Sequence, residues 1–225
     1  MNIPLSPRLR VCCDLVLPGS RVADIGCDHG YLSIWLLTQG IARSAIAADI
    51  NQQPLLSAVR NAEKYGVRDK MEFYLSDGAK SIPRDFDTLV CAGVGGDTMI
   101  SILDAAPWLK SRDYTLILQC QSKTPMLRQY LSDNGWRICK ETAVRDSRFV
   151  YTVMQLEFSP GQILTPGQCY ISPALRENLT SEAIEYCRRV CHGLQLSVHS
   201  HPNHAAALDE LVSDPQLAFL KEEES

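Results

Sequence analysis

None of the nine cysteines forms a Cys-x-x-Cys pair, so the usual ligand spacing of a structural zinc site is missing. No apolar run approaches the length of a membrane span. Residues 1–17 contain Asp14, two arginines and two prolines, and do not read as an export leader. A cytoplasmic location is therefore expected. Cys91, Cys120, Cys139 and Cys187, inside predicted strands or helices, read as reduced core thiols. The dinucleotide signature G-x-G-x-x-G is also absent, which argues against nicotinamide chemistry. Positive charge is in short supply: 22 Lys plus Arg against 26 Asp plus Glu leave a net charge of −4. Such a chain has no general attraction for nucleic acid, and any binding needs a local basic patch. Hydrophobic residues at 45% and 225 positions suffice for one α/β domain with an appendage.

The rest of the chain is organised around Arg21-Val22-Ala23-Asp24-Ile25-Gly26-Cys27-Asp28-His29-Gly30-Tyr31-Leu32. An apolar run stops at an acid, passes through glycine, acid and glycine, and becomes an amphipathic helix. This is a strand, a tight turn and a helix N-terminus, where an open α/β sheet binds a nucleotide-like cofactor. The order Gly26-x-Asp28-x-Gly30 places an acid where a pyrophosphate would lie. A sulfonium cation tolerates that acid, which points to S-adenosyl-L-methionine. A ligand-free strand–helix turn is the plain alternative.

Strands and helices then alternate. A first helix carries Leu9, Cys12, Cys13 and Val16, with Ser6-Pro7 as its N-cap and first turn. The second strand, Ala45 to Asp49, ends in an acid about twenty residues beyond the glycine turn. An acid there can accept both hydroxyls of a ribose or cap the next helix; with the first turn, the ligand reading is favoured. A helix over 54–65 leads to a third strand, Met71 to Leu75, and to Asp77-Gly78, either an adenine contact or a simple turn. The fourth strand, Asp87 to Ala92, runs into Gly93-Val94-Gly95-Gly96, an open floor for a flat ligand. A strand over 114–119, a helix over 124–134 and a closing antiparallel pair, 136–143 with 149–158, complete a doubly wound seven-stranded mixed sheet. That ending is the methyltransferase version of a Rossmann-like fold.

Pro and Gly at 159–167 read as a linker. Beyond it one helical stripe runs from Leu175 to Val198 and a second from Ala205 to Val212, giving an αα-hairpin and a frayed tail from Lys221. The expected division is 1–160, a catalytic domain, and 161–225, a helical domain.

These residues resemble the TrmK family, bacterial methyltransferases acting on N1 of adenosine 22 in tRNA. The resemblance rests on Leu5-Ser6-Pro7-Arg8-Leu9, on Ala23 through Leu32 with its Asp-His-x-Tyr-Leu turn, on Asp77-Gly78, on Ala92-Gly93-Val94-Gly95-Gly96 and on Leu116-Ile117-Leu118-Gln119. It implies a class I methyltransferase fold and S-adenosyl-L-methionine held by Asp24, Gly26, Asp49, Ile50, Asp77, Gly78 and Gly93. It implies Asp28 as the catalytic residue, facing methyl and base, and Arg8, His29, Tyr31, Gly95, Gly96 and Gln119 as substrate contacts. The partner implied is tRNA, with no metal and no membrane, the protein acting as a monomer. Family members usually carry methionine at Val94 and proline at Cys120, so this chain lacks a rigid turn after Gln119.

Arg8, Arg10, Lys123, Arg128, Arg137, Lys140, Arg145 and Arg148 are candidates for an RNA-binding patch, with scattered solvated charges the alternative. Cys187, Cys191 and His192, with His199, His201 and His204, could suggest a metal, but the two cysteines lie one helical turn apart in an apolar stripe and read as core. No Asn-Pro-Pro-Tyr segment marks an exocyclic-amine methyltransferase, and no Pro-Cys supplies a cytosine nucleophile. The alternatives are the same fold acting on a small molecule or protein, or a catalytically silent RNA-binding protein.

Overall fold

Pro7 opens the first helix, α1 (Pro7–Asp14), where its missing N–H would have had no intrahelical partner. The computed structural model describes residues 3–198 and 202–221. Ser6 sits at the N-cap in extended conformation, but its hydroxyl makes no capping bond and is buried without a partner. The proline alone, then, starts this helix.

The expected alternation follows: β1 (Ser20–Ile25), α2 (Tyr31–Thr38), β2 (Ala42–Asp49), α3 (Gln52–Lys64), β3 (Met71–Leu75), β4 (Thr88–Val94), α4 (Gly96–Asp104), β5 (Thr115–Cys120), α5 (Thr124–Asp133), β6 (Trp136–Asp146) and β7 (Phe149–Phe158). Their order in the single sheet is β3-β2-β1-β4-β5-β7-β6, parallel except for β7, which is antiparallel to both its neighbours. β6 runs three residues past its expected end because pairing with β7 continues to Asp146–Phe149. The chain moves outward from β1 through β2 and β3, then returns to place β4 on the other side of β1. The carboxyl ends of β1 and β4 therefore flank the point where strand order reverses, and a crevice opens there.

The central strands are buried on both faces, which is why they read as unbroken apolar runs. In β5, Leu116 and Leu118 enter one core cluster with Leu89, Met99 and Leu127, while Ile117 enters the other with Val90, Ile34 and Leu36. Helices α1 to α3 cover one side and α4 and α5 the other.

The C-terminal region departs from a two-helix hairpin. Among the described residues four α-helices occur there, α6 (Pro166–Tyr170), α7 (Pro173–Arg176), α8 (Ser181–Ser197) and α9 (Pro202–Ser213), followed by a 3-10 helix, Pro215–Lys221. Leu175 and Leu179 precede α8 rather than sharing its stripe. Thr165 forms a capping box with Gln168, and the hydroxyls of Ser172 and Thr180 accept from the amides of Leu175 and Ala183. Those caps, with Pro166 and Pro173, restart a helix three times where composition alone suggested a linker and one long helix. The tail expectation begins at Lys221, the last residue of that 3-10 helix, and residues 222–225 lie outside the described residues.

These helices pack on the outer strands, with Ile171, Leu175, Tyr186 and Leu211 against Ala143 and Val150. The join is polar at its centre. Arg128, on α5 and fully buried, donates to Glu141 Oε1 (2.6 Å), to the carbonyls of Cys169 (3.0 Å) and Tyr170 (2.8 Å), and to Tyr186 Oη (3.2 Å). Ser172 Oγ donates to the second Glu141 oxygen. Burial works against the guanidinium charge, but the charge of Glu141 outweighs it and holds Arg128 protonated.

Candidate active site

The loop after β1 is held in place by the neighbouring strand. The amides of Gly26 and Cys27 both donate to the carbonyl of Ala48, at 2.8 and 2.9 Å, and the Gly30 amide closes a turn on the Cys27 carbonyl at 2.7 Å. Gly30 is the one position there that admits no side chain. Its φ is +71°, and a Cβ would stand 2.9 Å from that of Ala58 on α3. Asp28 also has positive φ, +50°, and its side chain is 70% exposed. Gly30, not Asp28, is the N-cap of α2. Asp28 therefore does not cap that helix, and its exposed carboxylate stands at the crevice beside His29, 3.6 Å from the ring nitrogen.

Asp49, at the end of β2, ties three segments together. Its Oδ2 accepts from the Asp28 amide (3.2 Å), its Oδ1 from the Asn51 amide (2.8 Å), and its carbonyl from the Ser76 amide (2.9 Å). Asn51, not Asp49, is the N-cap of α3. Asp24 is buried and accepts from Ser33 Oγ at 2.9 Å. Burial pushes its carboxyl up to about 6, against the lowering effect of the Ser33 hydrogen bonds and with the charges of Asp49 and Asp28 adding to the rise. Three carboxyl groups thus converge at the carboxyl ends of β1 and β2, a field that favours a cation.

Around them lies a cavity of about 580 Å³, within the range of sites for small organic ligands. Asp24, Gly26, Asp28, His29, Tyr31, Asp49, Ile50, Asp77, Gly78, Gly93 and Arg8 all line it. Ser76 Oγ donates to the Gly78 carbonyl (2.8 Å) and accepts from the Ser81 amide (3.1 Å), which shapes the Asp77-Gly78 turn. Asp77 pairs with Lys80. Thr98, Ser101 and Ile102 of α4 and its C-cap Ala105 also line the cavity, a wall that sequence reasoning missed. Their helical spacing was visible, but only the packing of Met99 and Leu103 into the core decides which face is left for the cavity.

Three expected substrate contacts lie elsewhere. Gln119 is fully buried; its Oε1 accepts from the Gly93 amide (3.1 Å) and its Nε2 donates to the Cys120 carbonyl (3.0 Å). Both ends of the amide are used to hold the Gly93 turn. Gly95 and Gly96 are not an open floor, because the loop after β5 sits on them. A Cβ on Gly96 would meet the Lys123 carbonyl at 3.0 Å, and one on Gly95 would meet Ser122 Oγ at 3.0 Å. Gly96 thus admits the protein's own backbone, and Gly95 the Ser122 hydroxyl. The same loop carries the departure at Cys120, whose thiol donates to the Ser122 carbonyl at 2.9 Å, a hydrogen-bonded turn.

Most of the residues expected in a basic patch are already engaged within the protein. Arg128 is buried, Arg137 pairs with Glu157, Arg145 with Glu185, Lys123 with Asp97 and Arg8 with Asp146. Arg10 stacks over Trp35 and Arg148 over Phe149. Cys187 and Cys191 are buried in the C-terminal core, and His204 contacts the Ser197 carbonyl at 3.1 Å. His199 and His201 lie outside the described residues. Burial raises the thiol of Cys27, beside the cavity, far above neutral pH, so the chain offers no thiolate nucleophile there.

A methyltransferase-domain family matches residues 5–154. The tRNA (adenine(22)-N(1))-methyltransferase of Bacillus subtilis is 30% identical over 157 residues, 69% of this chain and 66% of that protein, a little under two thirds of its length. The crystal structure of the B. subtilis m1A22 tRNA methyltransferase TrmK superposes with a TM-score of 0.79 at 25% identity, covering 98% of this chain and 99% of that one. A protein of the NADB-Rossmann superfamily from Streptococcus agalactiae gives 0.81 at 28% identity over 99% and 98% of the two chains. This chain belongs to the TrmK methyltransferases. The likeness to TrmK extends over the C-terminal helices as well as the sheet, so the four helices are part of the shared architecture.

Proposed function

We propose that this chain methylates N1 of an adenosine in tRNA, the nucleoside corresponding to position 22, with S-adenosyl-L-methionine as donor. The observation that carries the reading is Asp28, an exposed carboxylate on a fixed loop at a cavity whose inner wall is acidic. The residues present fit the donor. Three acids face where a sulfonium and an ammonium would sit, and Asp49 has lone pairs left for a ribose after accepting two amides. Ile50, exposed at the rim, and Ile102 offer apolar walls for adenine beside Asp77-Gly78. Gly26 and Gly93 leave room at the strand ends for the remainder.

Bound there, the donor would supply an electrophilic methyl group on a positively charged sulfur. N1 of adenine carries an in-plane lone pair, so no base is needed to remove a proton first. Asp28 accepts a hydrogen bond from the N6 amino group and stabilises the growing positive charge on the ring. His29 and Tyr31, with ring centroids 5.8 Å apart, hold the base beside it, and Arg8 approaches from α1. Orientation supplies most of the remaining rate. The base must leave its stack to reach this pocket, at a cost of a few kcal/mol.

Residues 1–160 would carry this chemistry and 161–225 would contribute to RNA docking, the protein acting as a monomer in the cytoplasm. No helix among the described residues is long and apolar enough to cross a membrane. The test is transfer of labelled methyl to unmodified bulk bacterial tRNA, followed by nucleoside analysis. N1-methyladenosine at position 22 is the expected product; label in another nucleoside, or none in RNA, would overturn the reading.

A further inference from the structure

A second cavity, of about 290 Å³, lies between the sheet and the C-terminal helices. Its walls are Gln121 and Thr124 after β5, Phe149, Tyr151 and Thr152 on β7, and Arg189 on α8. β5 stops pairing with β7 at Gln119–Val153, so residues 149–152 of β7 have no strand beside them on that side. Backbone donors and acceptors there face a polar hollow rather than another strand.

Its charge sets it apart. Arg8 and Arg145 are paired with carboxylates, whereas Arg148 and Arg189 have no ion-pair partner among the described residues. Arg148 lies 4.9 Å from the centroid of the Phe149 ring, and Arg189 lies 5.9 Å from that of Tyr186 and donates one hydrogen bond, to the Val150 carbonyl at 2.5 Å. A guanidinium has five donors, so most of those on Arg189 remain available. Phe149 is 43% exposed, a large apolar ring on the surface with Tyr151 6.1 Å away. In a protein of net charge −4, two guanidiniums without a carboxylate partner thus stand beside an exposed Phe149 and a half-buried Tyr151. Aromatic faces take nucleobases by stacking, and guanidiniums take phosphates by paired hydrogen bonds.

The second cavity also adjoins the first. Arg8, which lines the cavity around Asp28, places its guanidinium 5.8 Å from the ring centroid of Tyr151, which lines the second. A chain reaching one cavity passes the other.

We infer that this second cavity is a nucleotide subsite, taking a nucleotide of the RNA substrate other than the one that is methylated. Its base stacks on Phe149 and Tyr151, its edge meets Gln121, and its phosphate pairs with Arg189 and Arg148. The inference rests on the tRNA reading above and extends it, because the site selects the neighbourhood of the target rather than the target itself. Part of the specificity then comes from a strand and a helix that belong to different parts of the chain.

The experiment is steady-state methyl transfer to unmodified bulk tRNA by the full-length wild type and by Phe149→Ala, Phe149→Leu, Arg189→Ala and Arg189→Gln. Calorimetry of S-adenosyl-L-methionine binding checks that each variant is folded. Phe149→Leu keeps apolar volume but loses the π-face, and Arg189→Gln can keep the bond to Val150 without the charge. KM for tRNA is expected to rise about tenfold in each, the order of effect of a lost base stack or phosphate contact, with donor affinity maintained. The salt dependence of KM should become shallower in the Arg189 variants. Active wild type with unaltered KM in folded Phe149→Leu and Arg189→Gln would overturn the subsite alone. Wild type that transfers nothing to RNA would overturn the tRNA reading and the subsite with it.

Discussion

The backbone amide of Asp28 donates to Oδ2 of Asp49 across 3.2 Å, joining the loop after β1 to the end of β2. One acid thus sets the position of another without touching its carboxylate. The side chain of Asp28 is left free for the substrate while its backbone, at φ +50°, is held in a conformation most residues avoid.

That arrangement separates two roles. Asp28→Asn keeps the backbone conformation, which asparagine tolerates, and removes the charge. Its kcat is expected to fall by about 100-fold, as for removal of one electrostatic contact to the transition state, with donor affinity within about threefold. Near-normal turnover would remove Asp28 from the mechanism. Asp49→Ala, by contrast, should weaken donor binding and turnover together.

The buried carboxyl of Asp24 makes the site sensitive to pH. Its folded pKa, about 6, lies above the ordinary value of 3.8, so the folded state binds more protons between the two. The contribution of Asp24 to stability is complete below the ordinary value and is lost as pH rises through 6, on the order of 3 kcal/mol in all. Donor affinity should move the other way, because a cation binds the ionised cluster better. Calorimetric affinity that stayed flat from pH 5 to 7.5, or did not steepen relative to Asp24→Asn, would count against this assignment.

Gly30→Ala combines a strained φ with a Cβ 2.9 Å from that of Ala58. The expected loss is about 2–4 kcal/mol, read by denaturant unfolding. Adding Ala58→Gly relieves the collision but not the strain. A partial recovery in the double variant is the expected result, and full recovery would assign the whole effect to crowding.

Arg128 and Glu141 are both fully enclosed at the join between the sheet and the C-terminal helices. Arg128→Met alone should cost about 3–5 kcal/mol by leaving a buried carboxylate uncompensated. Arg128→Met with Glu141→Gln should cost less, since no charge then remains. If the two losses simply added, the pair would not be coupled as its geometry indicates.

Much of the sheet was legible because its strands are buried on both faces. Val90 and Cys91 face opposite cores, so β4 has to be apolar throughout, and a run of that kind between glycine turns can only be an inner strand. The Asp24–Gly30 turn was legible for a similar reason: few sequences meet its backbone demands. The C-terminal helices were less so. Capping hydroxyls at Thr165, Ser172 and Thr180 are ordinary surface residues until a helix begins beside them.

Charge was the least legible property. Arg128 and Arg148 look alike in the chain, yet one is sealed beneath α8 against Glu141 and the other lies on an exposed ring. Residue types and local spacing were enough to set the strand order's raw material, the acidic turn and the kinship with TrmK, since these depend on backbone geometry and burial over short distances. Which arginines are free, that Gly96 receives the chain's own Ser122–Lys123 loop, and that β7 continues past β5 to leave a polar hollow were decided by tertiary structure alone. Pairing of charges and closure of surfaces depend on residues tens of positions apart meeting in space, and no local pattern records that meeting.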